Sequence, residues 1–435
     1  MLRSFRLTNH RSFAAEQELS LLPVYDRDQA ALPVAAIYGA NASGKSNLLD
    51  GLAFMQAAVL RSFQSWDAEG GVPRHPFRLD PALRAQPSGY VVEIVIGEVR
   101  YTYGFTVSDD RVLEEWLYSY PEKKRRVLFE RLDGRIRFGS TVGSERAKLD
   151  LLYELTRPNA LFVSVASQSE SELVLPIHRW FRTALTFPEP WSRSTAHAVA
   201  KRVQDYLGAK LERKRILIDL LASADVGITD FDITSDEGNA SAEQMQHFKM
   251  IVRALLIRDS HAGETADEVR AADIVRRTLF PFSLRLRHGS VGELFDFAEE
   301  SAGTRSWLSL LPDALDALDT GGAMFIDEID ASLHPLLTAR LIGLFREAET
   351  NPHGAQLIFT THDASLIGTA LGEEVLERDQ IWFVEKDRGG ASRLYPLSDF
   401  KPREGENRER RYLGGSYGAV PVVSATGFAE AVRGG

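Results

Sequence analysis

The sequence has no cysteine among its 435 residues. Disulfides, thiolate zinc sites and cysteine nucleophiles are therefore excluded. It also lacks any uninterrupted apolar run approaching the ~20 residues that a membrane helix needs. Its opening, Met1-Leu2-Arg3-Ser4-Phe5-Arg6, has no long apolar core of a secretion signal. The expectation is a cytoplasmic protein with no membrane attachment. An excess of positive charge is missing as well: 51 Lys and Arg stand against 61 Asp and Glu, a formal charge of −10. That balance argues against a nonspecific coat on nucleic acid and leaves open a local basic groove. There is no internal repeat or low-complexity tract, and no heptad run long enough for an extended coiled coil. What remains is 44% hydrophobic and 26% charged, ordinary for a globular chain with a sizeable core. The length fits roughly two to three domains.

The most informative stretch is Gly39-Ala40-Asn41-Ala42-Ser43-Gly44-Lys45-Ser46, which fits the phosphate-binding pattern GxxxxGK[ST] in full. The apolar run Val34-Ala35-Ala36-Ile37-Tyr38 reads as the preceding strand, and a helix continues from Asn47 through Met55. A strand feeding a glycine-rich turn into a helix aims several backbone N–H groups, and the positive end of the helix, at one spot. That spot suits the triphosphate of ATP. Lys45 is placed to reach the β- and γ-phosphates and Ser46 to hold Mg²⁺.

Four regions are expected. Residues 1–147 form an N-terminal lobe containing the phosphate loop and an antiparallel β region. Tyr90–Ile96 and Arg100–Val107 are β-branched and aromatic runs around a Gly97-Glu98 turn. Val127–Arg131 and Arg135–Phe138 flank Asp133-Gly134, a strong hairpin signal. Residues 148–290 read as a mainly helical insert. Leu207, Leu211 and Leu217 lie at helical spacing, and an acidic turn-rich loop interrupts at Thr234–Asn239. Residues 291–400 return to alternating strands and helices, and 401–435 form a tail.

The third region supplies the chemistry that the phosphate loop lacks. Ala323-Met324-Phe325-Ile326-Asp327-Glu328 is a short apolar strand ending in two acids. Asp327 at a strand end can complete a Mg²⁺ shell, and Glu328 can orient and polarise an attacking water. Leu357-Ile358-Phe359-Thr360-Thr361-His362-Asp363 is a second such strand, with His362 able to donate to the γ-phosphate or the water. Ser301-Ala302-Gly303-Thr304 opens a helix 26 residues before Asp327. Ser301 reads either as its N-cap or, with the Gly303 backbone, as a contact to a γ-phosphate held by another subunit.

The order of these motifs resembles the ABC-type ATPase head of the RecF, SMC and OLD proteins. Ser301-Ala302-Gly303-Thr304 looks like a variant of their LSGGQ signature. Asp327 through Pro335 resembles the DEPxxxLHP form, with Ile329 in place of proline and His334 where transporter heads carry an aspartate. Further segments resemble the RloA/AbiL-like branch of AAA-family ATPases linked to abortive phage infection. These are Asn9-His10-Arg11-Ser12-Phe13, His75–Leu79, Asn159–Ser164 and Arg411–Pro421.

The resemblance implies an α/β fold, a P-loop NTPase of ABC-ATPase type with a mixed sheet, an antiparallel β subdomain and a helical insert. It also implies a homodimer or higher homo-oligomer formed through ATP, a partner effector protein, and a role in anti-phage defence. A RecF-like DNA-clamping ATPase is the alternative. By the same resemblance, Arg11 is a nucleotide-contacting candidate. Gln168, read as ending the strand before the insert, is a candidate Q-loop glutamine. OLD proteins carry a Toprim nuclease after the head, and Ile381–Glu385 has the look of its first strand. Only 50 residues follow Glu385, and no DxD pair lies among them, so Glu385 reads as an exposed acid on a sheet strand. Basic clusters at Lys123–Arg126, at Arg213–Arg215, and at Arg403, Arg408, Arg410 and Arg411 are solvated faces or a groove for a nucleic acid.

Overall fold

The computed structural model describes residues 1–26, 29–169, 171–190, 192–208, 210–224, 227–235, 246, 250, 282–289, 293–400 and 407–421. The Asp236–Asn239 part of the acidic loop, most of the expected helical stretch after it, and Arg403 lie outside these residues. The chain divides into two compact units, one of Met1–Pro188 with Ala317–Gly435, the other of Glu189–Asp316. The second unit thus begins later than the boundary at 148 that the sequence suggests.

The first unit opens with β1 (Leu2–Thr8), β2 (Gln17–Ser20), β3 (Val34–Tyr38), α1 (Lys45–Ser65) and the short α2 (Pro81–Ala85). A meander follows: β4 (Ser88–Ile96), β5 (Val99–Val107), β6 (Val112–Tyr120), β7 (Arg126–Leu132) and β8 (Arg135–Phe138). Then come α3 (Arg146–Glu154), α4 (Phe162–Ala166), α5 (Leu175–Thr183) and β9 (Leu185–Thr186). The second unit holds α6 (Ala196–Leu207), α7 (Leu211–Ser223), β10 (Ile228–Ser235), β11 (Phe282–His288) and β12 (Leu294–Asp296). Helix α8 (Ala302–Thr320) crosses the boundary between the units. The chain finishes the first unit with β13 (Ala323–Ile326), α9 (Pro335–Arg346), β14 (Gln356–Thr361), β15 (Ile381–Lys386), β16 (Ser392–Pro396) and α10 (Arg408–Leu413).

Two sheets build the first unit. One has the order β16-β15-β3-β14-β13-β9, parallel throughout except for β16. Every residue of β3, β13 and β14 is buried. Burial on both faces explains why these strands read as continuous apolar runs rather than alternations. The other sheet has the order β2-β1-β4-β5-β6-β7-β8 and is antiparallel. Its inner face presents Phe5, Tyr90, Val92, Tyr103, Leu117 and Phe129 to the core shared with Leu52, Met55 and Val59 of α1. Burying each such side chain contributes about 1.5–3 kcal/mol. Both two-residue hairpin turns form where expected. Gly97 has φ 59° after β4, and Asp133 and Gly134 have φ 46° and 73° between β7 and β8, the left-handed pair that a type I′ turn requires.

The buried Glu115 of β6 links this sheet to α4. It accepts the N–H groups of Phe162 and Val163 at 2.7 and 3.1 Å and the Tyr103 hydroxyl at 3.1 Å, with Arg131 Nη1 at 3.5 Å. Two otherwise orphaned amides at a helix start are thereby satisfied. Burial pushes the Glu115 carboxyl up from its ordinary value, opposed by the Arg131 charge and the amide bonds.

Among its described residues the 148–290 region contributes β9, β10 and β11 beside its helices, the last two strands paired along their length. The structure departs from the sequence expectations in three places. The helical spacing of Leu207, Leu211 and Leu217 is interrupted by Gly208 at φ 49°, which separates α6 from α7. Strand β6 was not evident, because Leu113-Glu114-Glu115 interrupts its alternation. The run before Gln168 is helix α4, not a strand.

Candidate active site

The order of the parallel sheet sets the site. Strand β14 lies between β3 and β13, so the turns after these three strands lie side by side at the carboxyl edge, where open α/β sheets bind ligands. The phosphate loop follows β3, Asp327 and Glu328 follow β13, and His362 follows β14.

The loop needs its glycines. Gly44 has φ 111°, and a Cβ there would run into the hydroxyls of Ser392 and Ser12; at Gly39 it would strike the Val384 carbonyl. Ala42 adopts φ 61° without that freedom. Helix α1 begins at Lys45, so its unpaired N–H groups face the loop. Two serines far apart in sequence stitch the loop down. Ser392 Oγ lies 2.5 Å from the Ser43 carbonyl and 2.7 Å from Ser12 Oγ, which also receives a bond from Asn47 Nδ2 at 2.7 Å. Ala40, Asn41, Ala42 and Ser46 are at least partly accessible, while Ser43 and Lys45 are buried.

Lys45 Nζ donates to the Gly39 and Ala40 carbonyls at 2.8 and 3.3 Å and lies 3.1 Å from His362 Nε2. An ammonium can only donate, so Nε2 accepts. Burial draws the Lys45 ammonium down from its ordinary value, while Glu328, Asp327 and Asp330 pull it back up. Ser46 Oγ donates to Asp327 Oδ1 at 3.0 Å across 281 residues of sequence. The same oxygen accepts from Thr360 Oγ1 at 2.6 Å, and Thr360 Oγ1 accepts the Glu328 N–H at 2.7 Å. A polar chain thus joins the loop to both acids through β14. Glu328 stands at φ 53°, a sparsely populated conformation for a side chain of this kind and one that concentrates at functional sites. The Ile329 N–H donates to the Thr360 carbonyl at 3.0 Å, a bond that proline could not make. His334 caps α9 by accepting the Leu336 N–H at 3.2 Å.

Arg11 sits in the tight turn after β1 with φ 49°. Its guanidinium pairs with Asp50 on the second turn of α1, and His10 Nε2 reaches the same carboxylate at 2.9 Å. Burial alone would raise the Asp50 carboxyl; bonds from His10 and Arg11 and their charge hold it at about 2. Arg11 is therefore tied to the helix that begins at the phosphate loop.

One candidate lies elsewhere. Gln168 is in a turn after α4 and accepts from Gln64 at 3.0 Å. Gln64 is near the end of the 21-residue α1, so Gln168 lies about 28 Å of helix away from Lys45 and is not brought to the pocket. Ser301, Ala302, Gly303 and Thr304 belong to the second unit. Ser301 Oγ accepts the Thr304 N–H at 3.1 Å and contacts Thr304 Oγ1 at 2.8 Å, capping α8. The residues not anticipated from sequence are Thr360, Asp50, Ser12 and Ser392. Thr360 lies inside the strand before His362 and Ser12 inside the Asn9–Phe13 segment; nothing local marks Ser392.

The fold and pocket define a phosphate-loop ATPase domain of mixed α/β type. The chain belongs to the family described as "AAA domain, putative AbiEii toxin, Type IV TA system", whose model matches residues 34–368. No curated protein matches it. Solved structures similar to it include an SMC head bound to the C-winged helix domain of ScpA, 13% identical over 91% of this chain and 96% of that one, with TM-score 0.43. Others are the SMC head domain from Thermotoga maritima (13%, 91% and 98%, TM-score 0.38) and an Smc head with an extended coiled coil bound to the C-terminal domain of ScpA, from Pyrococcus furiosus (13%, 92% and 97%, TM-score 0.39). Among the described residues, no helix is long and apolar enough to cross a membrane.

Proposed function

We propose that this chain binds ATP with Mg²⁺ at the carboxyl edge of the parallel sheet and hydrolyses it, working as an ATP-gated dimeric switch. The observation that carries this reading is the 3.0 Å approach of Ser46 Oγ to Asp327 Oδ1. Two hard oxygen donors brought this close suit Mg²⁺, which Ser46 and Asp327 would hold. The ion, when bound, neutralises charge on the phosphate oxygens. The backbone N–H groups of Gly39 to Ser46, with Asn47 beside them, cradle the phosphates. Lys45 exchanges its carbonyl and His362 contacts for the β- and γ-oxygens. Glu328 orients the attacking water and takes up its proton, and His362 donates to the γ-phosphate. Arg11 is a further contact to the nucleotide. Most of the rate comes from positioning and charge stabilisation.

A second copy completes the site in this reading, with its Ser301–Thr304 segment closing on the γ-phosphate. The family description, which names a toxin of a toxin–antitoxin system, supports a role in bacterial anti-phage defence with a partner effector protein. The alternative, a RecF-like DNA-clamping ATPase, is favoured by the basic clusters; turnover stimulated by DNA in a salt-sensitive manner selects it. Calorimetry tests the pocket directly: Lys45→Ala is expected to lose ATP binding, and unchanged affinity refutes the assignment. Glu328→Gln is expected to bind ATP and elute as a dimer in size-exclusion chromatography. A monomer with normal turnover refutes that role.

A further inference from the structure

The outward face of the antiparallel sheet, opposite the face that packs on α1, carries a second constellation. Along β6 the burial alternates: Glu115, Leu117 and Ser119 are buried, while Trp116, Tyr118 and Tyr120 are partly exposed. These three aromatics share one face. The β6 register sets Gly104 opposite Trp116, Thr102 opposite Tyr118 and Arg100 opposite Tyr120. A Cβ at Gly104 would overlap the Trp116 indole, so the glycine lets that ring lie against the sheet. Arg100 stacks on Tyr120 and Arg125 on Tyr118, each guanidinium carbon 3.9 Å from the ring centroid. On the neighbouring strands, Glu130 pairs with Arg125 at 3.2 Å and with Arg137 at 2.5 Å, and Arg135 stands exposed beside them. Lys123 and Lys124 are exposed in the turn that follows β6. Glu93 lies 3.6 Å from Arg100, Glu114 is exposed two residues before Trp116, and Glu122 is exposed in the turn. With Glu130 the face thus carries four acids against the six basic side chains of Arg100, Lys123, Lys124, Arg125, Arg135 and Arg137, interleaved with rings.

We propose that this face binds single-stranded nucleic acid, stacking bases on Trp116 and on the guanidinium-covered rings of Tyr118 and Tyr120, and holding phosphates with Arg100, Arg125 and Arg137. Every base has a π-face, so such a platform is tolerant of sequence. The spacing selects a single strand. Alternate residues of a strand are about 6.8 Å apart, twice the 3.4 Å step along one strand of a duplex, so bases must be splayed to reach successive rings. The platform is separate from the ATP pocket. Three strand spacings, about 14 Å, lie between β6 and β1, whose following turn carries Arg11.

The test is fluorescence anisotropy of a labelled 20-mer oligothymidylate with the full chain at 50 and 200 mM salt. Saturable, salt-sensitive binding is expected. Tyr118→Ala and Trp116→Ala are each expected to weaken it about tenfold, whereas Trp116→Phe retains it. Arg137→Glu should lower the slope of log affinity against log salt by about 0.7. Lys45→Ala should bind the oligonucleotide like the parent, which separates this proposal from the ATPase reading. Circular dichroism checks each fold, and Arg137→Glu, whose side chain is 74% exposed, reports even if Trp116→Ala unfolds. Absence of binding at 50 mM salt overturns the proposal. So does equal affinity for a duplex, equal competition by polyglutamate, or indifference to Tyr118→Ala and Arg137→Glu together.

Discussion

The two sheets of the first unit use their strands in opposite ways. In the parallel sheet β3, β13 and β14 are buried along their whole length, so nothing on their faces is available and chemistry is confined to the turns at their ends. In the antiparallel sheet alternation leaves one face of every strand outward, and polar and aromatic side chains accumulate there. A buried strand thus concentrates function into a few contiguous residues, while a half-exposed one spreads it over positions two apart on several strands.

Variants can break or sharpen this contrast. The largest expected effect is on turnover. Glu328→Gln, at a strand end, should slow hydrolysis by about 10²–10⁴-fold with stability within about 0.5 kcal/mol of the parent, read by phosphate release and urea unfolding. A comparable loss of stability would mean that the turn is structural. Glu115→Ala, on the buried face of β6, should behave in the reverse manner. Removing one member of a buried charge pair, with the α4 amides left unpaired, is expected to cost about 3–5 kcal/mol. Chemical denaturation reads it, and a loss below about 1 kcal/mol contradicts the account of α4.

The smallest effect concerns the link between the two sheets. Asp50 on α1, which follows β3, pairs with His10 and Arg11, which follow β1. Its carboxyl is held at about 2, below an ordinary value of 3.8. A depressed acid contributes stability above its unfolded value and loses it as pH falls through the folded value. The advantage over Asp50→Asn should be about 1 kcal/mol, discounted because the pair is half-exposed. It should hold steady from pH 7 to 5 and narrow from pH 4 towards 2. A gap that stays constant down to pH 3 removes the proposed coupling.

This contrast also explains what could be read without a structure. The phosphate loop, Asp327, Glu328 and His362 follow continuous apolar runs and announce themselves locally. Thr360 and Ser12 lie inside segments that stand out locally, yet their roles, like that of Ser392, rest on partners far along the chain. Gln168 was misplaced because Phe162–Ala166 is apolar and short, a length at which helix and strand look alike. Strand β6 was hidden by the Glu115 that the core uses as a cap. The aromatic face needs the register of β5 against β6 before Gly104 and Trp116 become neighbours. The strands β10 and β11 pair across a long stretch of sequence, so no hairpin signal joins them.

The bond between Ser46 and Asp327 also has a meaning in time. A ribosome adding about 5–20 residues per second releases the two partners, 281 positions apart, roughly 15–55 s from each other. Through that interval the nascent chain displays the phosphate loop without the acid that Ser46 bonds. ATP is therefore expected to stabilise the chain only after β13 and β14 have joined β3, making the nucleotide a marker of an assembled parallel sheet.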